Sequence, residues 1–197
     1  MADWQTLYAE DVAKLSATFG RPVTRTSIHD VGRETFEWWS RVTQRRTSEV
    51  VMLVRRPGPS TDRFVVHTKA FYPSGAYRLL SGGLHLGEDL LVAALREAHE
   101  ETGLDVRWDR FLAIIHNEFR HQGESIRFLS YLVAFASHDG EIVNQDEGEQ
   151  ITDYREVSLA ELDRIADALE ALPPNWVEWG RFRAPAHRLA VELLSQE

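Results

Sequence analysis

Apolar positions along this chain change spacing several times, and each change marks an element. Residues 4–18, with Trp4, Leu7, Val12, Leu15 and Phe19 as core candidates, predict an amphipathic helix. Arg21 to Ile28 and Glu34 to Val42 are rich in β-branched and aromatic residues, a composition that predicts two strands. Ser48 to Val54 is a short apolar run expected as a buried strand. Arg63 to Lys69 is its expected hairpin partner across the turn at Pro57–Asp62. After a lead-in from Tyr77 to Leu80, the segment Glu88 to Thr102 turns to Leu, Ala, Glu and Arg and predicts a helix closed by Gly103. Val106 to Glu118 and Ile126 to Ala136 read as strands joined by the polar turn HQGES. Arg155 to Val157 reads as a further short strand. Leu159 to Leu172 is expected as a helix capped by Ser158, and PPNW interrupts the chain before a last helix from about Ala184 to Leu194. Strands on both sides of a central helix, with helices at the end, predict a mixed sheet flanked by helices.

Composition narrows the possibilities. The chain has 197 residues, enough for one full core and too few for two comfortable domains. Its formal charge is −9, which argues against nonspecific binding to nucleic acid or to an anionic membrane surface. It also means that an anionic substrate has to be attracted by local cations. With no cysteine, disulfides, thiolate metal sites and a cysteine nucleophile are excluded. No apolar run reaches transmembrane length and the N-terminus lacks a signal-peptide core, so a cytoplasmic location is expected.

The chemistry concentrates between Gly82 and Leu104, GGLHLGEDLLVAALREAHEETGL. Glu97 and Glu101 are spaced i,i+4 and Glu100 lies between them, so three carboxylates are neighbours on one helix. Leu91, Ala94, Leu95 and Ala98 form an apolar stripe expected to bury the helix and aim the acids elsewhere. Acids bunched near a helix C-terminus repel one another and oppose the helix dipole. A bound divalent cation is the simplest reason to keep them, and hard carboxylate oxygens suit magnesium or manganese. A solvated acidic face would explain the glutamates alone. It does not explain Gly82, Glu88, Arg96 and Gly103 at fixed spacing around them.

Those residues resemble the Nudix box, G-x5-E-x7-R-E-U-x-E-E-x-G-U, with U a bulky aliphatic residue. Every fixed position matches, and the one soft departure is the small Ala98 at the first U. The resemblance implies an α/β (α+β) fold, an α/β/α sandwich around a mixed sheet, spanning residues 46–197 with the C-terminal helices. Residues 1–45 would be an N-terminal extension or dimerisation arm. The resemblance also implies a Mg2+- or Mn2+-dependent hydrolase that cleaves a diphosphate linkage in a nucleoside diphosphate linked to another moiety. Under it, Glu97, Glu100 and Glu101 are metal ligands, with Ser81 offering a backbone carbonyl, and Arg96 orients the carboxylates. Glu88 would order the loop or a further ion. Many family members take an acid from a loop before the last strand. Asp146, Glu147 and Glu149 stand at about that place, and Glu149 is the favoured catalytic base.

Substrate contacts are less defined. Phe71, Tyr72, Tyr77, Phe119 and Phe128 are aromatic candidates for stacking, and Arg55, Arg56, Arg78, Arg120 and Arg127 for phosphate, with Arg78, Phe119 and Arg127 favoured. The histidines show no zinc-ligand spacing. The expected partner is a nucleotide-like diphosphate substrate, with no nucleic acid, no membrane and a homodimer possible through the N-terminal arm. The alternative reading is a catalytically inactive nucleotide-sensing Nudix module; the intact box argues against it.

Overall fold

A computed structural model describes residues 8–58, 62–85, 87–137 and 140–196. Trp4, Leu7 and the middle of the turn at Pro57–Asp62 lie outside the described residues. In chain order the elements are α1 (Ala9–Phe19), β1 (Val23–Asp30), α2 (Arg33–Thr43), β2 (Ser48–Arg56), β3 (Arg63–Lys69), β4 (Arg78–Gly83) and α3 (Leu90–Thr102). Then follow β5 (Val106–His121), β6 (Glu124–Ser137), a 3-10 turn at Glu147–Glu149, β7 (Ile151–Val157), α4 (Leu159–Glu170) and α5 (Val177–Leu194).

One seven-stranded sheet runs in the order β1-β5-β6-β2-β4-β3-β7. It is mixed: β1/β5 and β2/β6 are parallel, while β5/β6, β2/β4, β3/β4 and β3/β7 are antiparallel. β2 at its centre shows why both faces are covered. Val50, Met52 and Val54 point into one core with α1 and α3, and the intervening Val51 and Leu53 point into the other with α4 and α5. This is the mixed sheet flanked by helices that the element order predicts, and the α/β/α sandwich that the resemblance implies. Among the described residues no helix is long and apolar enough to cross a membrane.

Two expectations are corrected. Glu34 to Val42 is helical, as most of α2, and forms no strand. Its composition is β-rich, but Phe36, Trp39 and Val42 recur every third residue and pack one face against Phe119 and Phe128 of the β5/β6 hairpin. The last helix starts at Val177 rather than near Ala184. Gly180 and Pro185 argue against helix in the sequence, yet Gly180 sits where α5 crosses α4, and a Cβ there would stand 1.9 Å from the Leu169 carbonyl oxygen. The hairpin partnership of β2 and β3 is also brief: they pair only at Arg55/Phe64 and Arg56/Arg63, and β4 inserts between them further along.

Candidate active site

The site is built where the end of β4 meets α3. Asp89 caps α3 by accepting from the amides of Leu91 and Val92, and Gly103 closes it in the left-handed conformation at φ 67°. The buried face of α3 is Leu90, Ala93, Ala94, Glu97, Ala98 and Glu101. Two of the acids therefore lie on the buried stripe itself. Leu91 and Leu95 flank it half-buried, against the expectation that the apolar stripe lies apart from the acids.

Gly82 makes room for this. A Cβ on it would lie 1.8 Å from Glu97 Cδ, and one on Gly83 would lie 2.1 Å from a guanidinium nitrogen of Arg46. The paired glycines are thus a cradle for the Glu97 carboxylate and for Arg46.

Arg96 gathers the rest. It donates to both oxygens of Glu88 (2.8 and 3.0 Å), to Glu97 Oε1 (3.0 Å) and to Glu100 Oε2 (2.9 Å). Hydrogen bonding to Arg96 holds the Glu88 carboxyl below its ordinary value. Glu88 also accepts from the His85 amide (3.0 Å), so it braces the loop ahead of α3. Burial raises Glu97 despite Arg96, with Glu100 and Glu149 adding to the rise.

Glu101 is fully buried, and burial pushes it up to about 7, with Arg78 and Lys69 opposing and Glu149 and Glu97 adding. Its Oε2 accepts from the Ser81 amide (3.1 Å). Its Oε1 has no hydrogen-bond partner; Lys69 Nζ stands 3.5 Å away, an ion-pair distance without hydrogen-bond geometry. The same ammonium is paired with Glu149. Glu149 reaches this place because the loop before β7 is tied to the end of α3: the Val143 amide donates to Thr102 O and the Gln145 amide to Glu100 O, both at 2.9 Å.

Behind the carboxylates lies a buried polar chain. A single nitrogen of Arg183 in α5, Nη1, lies within hydrogen-bond distance of both oxygens of Glu49 (3.0 and 2.9 Å) and of Ser81 Oγ (3.2 Å). Ser130 donates to Glu49 (2.9 Å), Asn117 donates to Ser130 (3.1 Å), and His29 Nε2 donates to Asn117 (3.1 Å). His187 accepts from the Leu79 amide (2.9 Å) and is pushed by burial down to about 3, so it stays neutral and locks α5 to β4.

The predicted residues are thus partly assembled. Glu97, Glu100, Glu101, Arg96, Ser81 and Glu149 converge at one place. Arg78 is there too, but buried: it donates to Tyr72 Oη (2.8 Å), Ser81 Oγ (2.9 Å) and Leu79 O (2.7 Å), so it supports the site from behind. Phe119 is corrected as a substrate contact. It is 1% exposed, stacked on Trp39 at 3.9 Å and on His29 at 4.9 Å, because α2 covers its side of the hairpin. Arg127 is exposed on β6 opposite Glu118, on the same hairpin, and is not brought to the box. Sequence reasoning missed Lys69, Glu49, Arg183 and Arg46. Glu49 carried a signal as the one acid inside the apolar run of β2, and Lys69 as one of only two lysines in the chain. An aromatic patch flanks the site: Phe71, 54% exposed, and Trp179 lie 4.9 and 4.7 Å from the Tyr72 ring, with Trp176 beside them.

A buried carboxylate oxygen with no hydrogen-bond donor, among further carboxylates, is a donor set that fits a hard divalent cation. Among the described residues no three acids or histidines are already grouped as metal ligands. The reason is visible: Arg96 holds Glu97 and Glu100, and Lys69 holds Glu149.

The NUDIX domain model matches residues 41–179, most of the chain. The chain belongs to the NUDIX family, the Nudix hydrolases, which act on phosphorus-containing acid anhydrides. No curated protein matches it. Among solved structures, a C. elegans Ap4A hydrolase binary complex aligns with a TM-score of 0.50 at 16% identity, covering 77% of this chain and 99% of that one. The E. coli dihydroneopterin triphosphate pyrophosphohydrolase aligns with a TM-score of 0.49 at 16% identity, over 75% and 97%. An ADP-ribose pyrophosphatase from Streptococcus suis gives 0.44 at 14% identity, over 76% and 92%.

Proposed function

We propose that this chain is a divalent-metal-dependent hydrolase cleaving the diphosphate linkage of a nucleoside diphosphate joined to another moiety. The observation that carries the reading is a buried oxygen of Glu101 that no hydrogen-bond donor meets, with the Glu97 and Glu149 carboxylates near enough to act on it and Glu100 tied in through Arg96. Glu97, Glu100 and Glu101 would hold Mg2+ or Mn2+, with the Ser81 backbone alongside; when bound, the ion neutralises phosphate oxygens and acidifies water. Arg96 would keep two of these carboxylates in place, one of its nitrogens donating to both. Glu149, in the loop tied to the end of α3, would take a proton from the attacking water. Arg78 and Arg183 hold Ser81 from behind, so the β4 backbone facing Glu101 is fixed before substrate arrives. The aromatic patch at Phe71, Tyr72, Trp176 and Trp179 offers a planar group a surface beside the same site. The C. elegans structure that aligns with this chain is named an Ap4A hydrolase, which agrees with this class without choosing among its members.

The test is Glu101→Gln assayed on a panel of nucleotide sugars, dinucleoside polyphosphates and ADP-ribose with manganese present. Activity is expected to fall by at least about a thousandfold with the fold retained, as for loss of a group acting directly in the reaction. Full activity in the variant would remove Glu101 from the metal site. No turnover by the wild-type chain on any member, with thermal shifts on ligand binding, would make it a nucleotide sensor.

A further inference from the structure

Lys69 is absent from the box, yet it touches more of the site's negative charge than any group except Arg96. Its side chain is 8% exposed at the end of β3, where the register with β7 shifts between Thr68 and Lys69. Its ammonium stands against Glu149 and 3.5 Å from the Glu101 oxygen that no hydrogen-bond donor meets. It thus lies between the two acids, the position a shared cation would take. The choice of lysine is itself informative. The chain has 22 basic residues, of which only Lys14 and Lys69 are lysine; every other ion pair at the site is made by arginine. An arginine fork is planar and committed to its partners, whereas an ammonium on a four-carbon stem is a point charge that can move between partners. A divalent ion and an ammonium cannot both occupy the space between Glu101 and Glu149, since the two charges repel at such short range.

We propose that Lys69 is a tethered counter-cation. It offsets part of the charge of Glu101 and Glu149 in the metal-free protein, competes with the divalent ion for both carboxylates, and once displaced turns its charge to the phosphate of the substrate. This rests on the metal-site reading above.

The test compares wild type with Lys69→Met in two titrations at pH 8.5, Mg2+ by calorimetry and then inorganic pyrophosphate at saturating Mg2+. The expected signature has opposite signs: Mg2+ binds about tenfold more tightly to the variant and pyrophosphate about tenfold more weakly, within the range of couplings between contacting groups. A merely structural lysine would lower both affinities. Unchanged or weaker Mg2+ binding in Lys69→Met overturns the proposal, as does unchanged pyrophosphate binding. Should Lys69→Met fail to fold, Lys69→Gln serves with the same expectations. Absence of Mg2+ binding to both proteins would instead sink the metal-site reading, and the two failures are thereby told apart.

Discussion

Glu101 is where burial and charge meet most sharply. An acid whose folded pKa stands near 7, above its unfolded value, binds its proton more tightly in the native state. Its contribution to stability is therefore neutral at low pH and becomes unfavourable as pH rises from about 4.5 toward 7. Thermal unfolding of metal-free wild type and Glu101→Gln between pH 5 and 8 should show the wild type losing stability relative to the variant across that window. A constant difference would mean that Glu101 is ionised throughout. Gly82 makes a second residue-scale case. Gly82→Ala pushes a methyl into the Glu97 carboxylate, and a roughly 10–100-fold loss of activity is expected, the range for groups that orient ligands. Circular dichroism and calorimetry should find the fold intact. The box glycines and acids were legible in the sequence because their spacing alone brings them together on one turn and one helix. Lys69, Glu49 and Arg183 were not, because their pairing depends on which strands neighbour one another in the sheet.

At the scale of elements, legibility followed periodicity. The strands around β2 and the helix α3 carried clear patterns and stand close to where those patterns put them. α2 did not, because β-rich composition outweighed the three-residue spacing of Phe36, Trp39 and Val42, and a helix that covers aromatic rings needs large aromatic residues of its own. Trp39 is the centre of that packing, against Phe119, Phe128 and Phe182. Trp39→Ala is expected to cost about 3–5 kcal/mol in denaturant unfolding. A cost below about 1 kcal/mol would show that α2 is only loosely docked. The first turns of α5 are not legible in the sequence, because a helix containing Gly180 and Pro185 looks broken until the α4 crossing that requires Gly180 is known.

For the whole molecule, the N-terminal segment matters most. The family model begins at residue 41, yet β1 extends the sheet beyond β5, and Leu15, Val31 and Trp39 are buried. Deleting residues 1–45 should give an unstable or insoluble product, checked by expression and thermal unfolding; a well-folded remainder would make the segment a separable arm. Overall charge works against the proposed substrate class: at −9 the chain repels polyphosphates on average, so their attraction would have to be local.

The polar chain behind the carboxylates has a consequence for assembly in time. His29, Glu49, Ser81, Glu101, Asn117, Ser130 and Arg183 are joined in one network, and Arg183 is synthesised after all the others. While the chain is being made, β2 and the box can pair and pack. Through that interval the buried carboxylate of Glu49 lacks its guanidinium partner and Ser81 lacks one of its two anchors. The box in the middle of the sequence is therefore finished last, by a helix near the C-terminus, and a nascent chain halted before α5 would carry every box residue without a settled site.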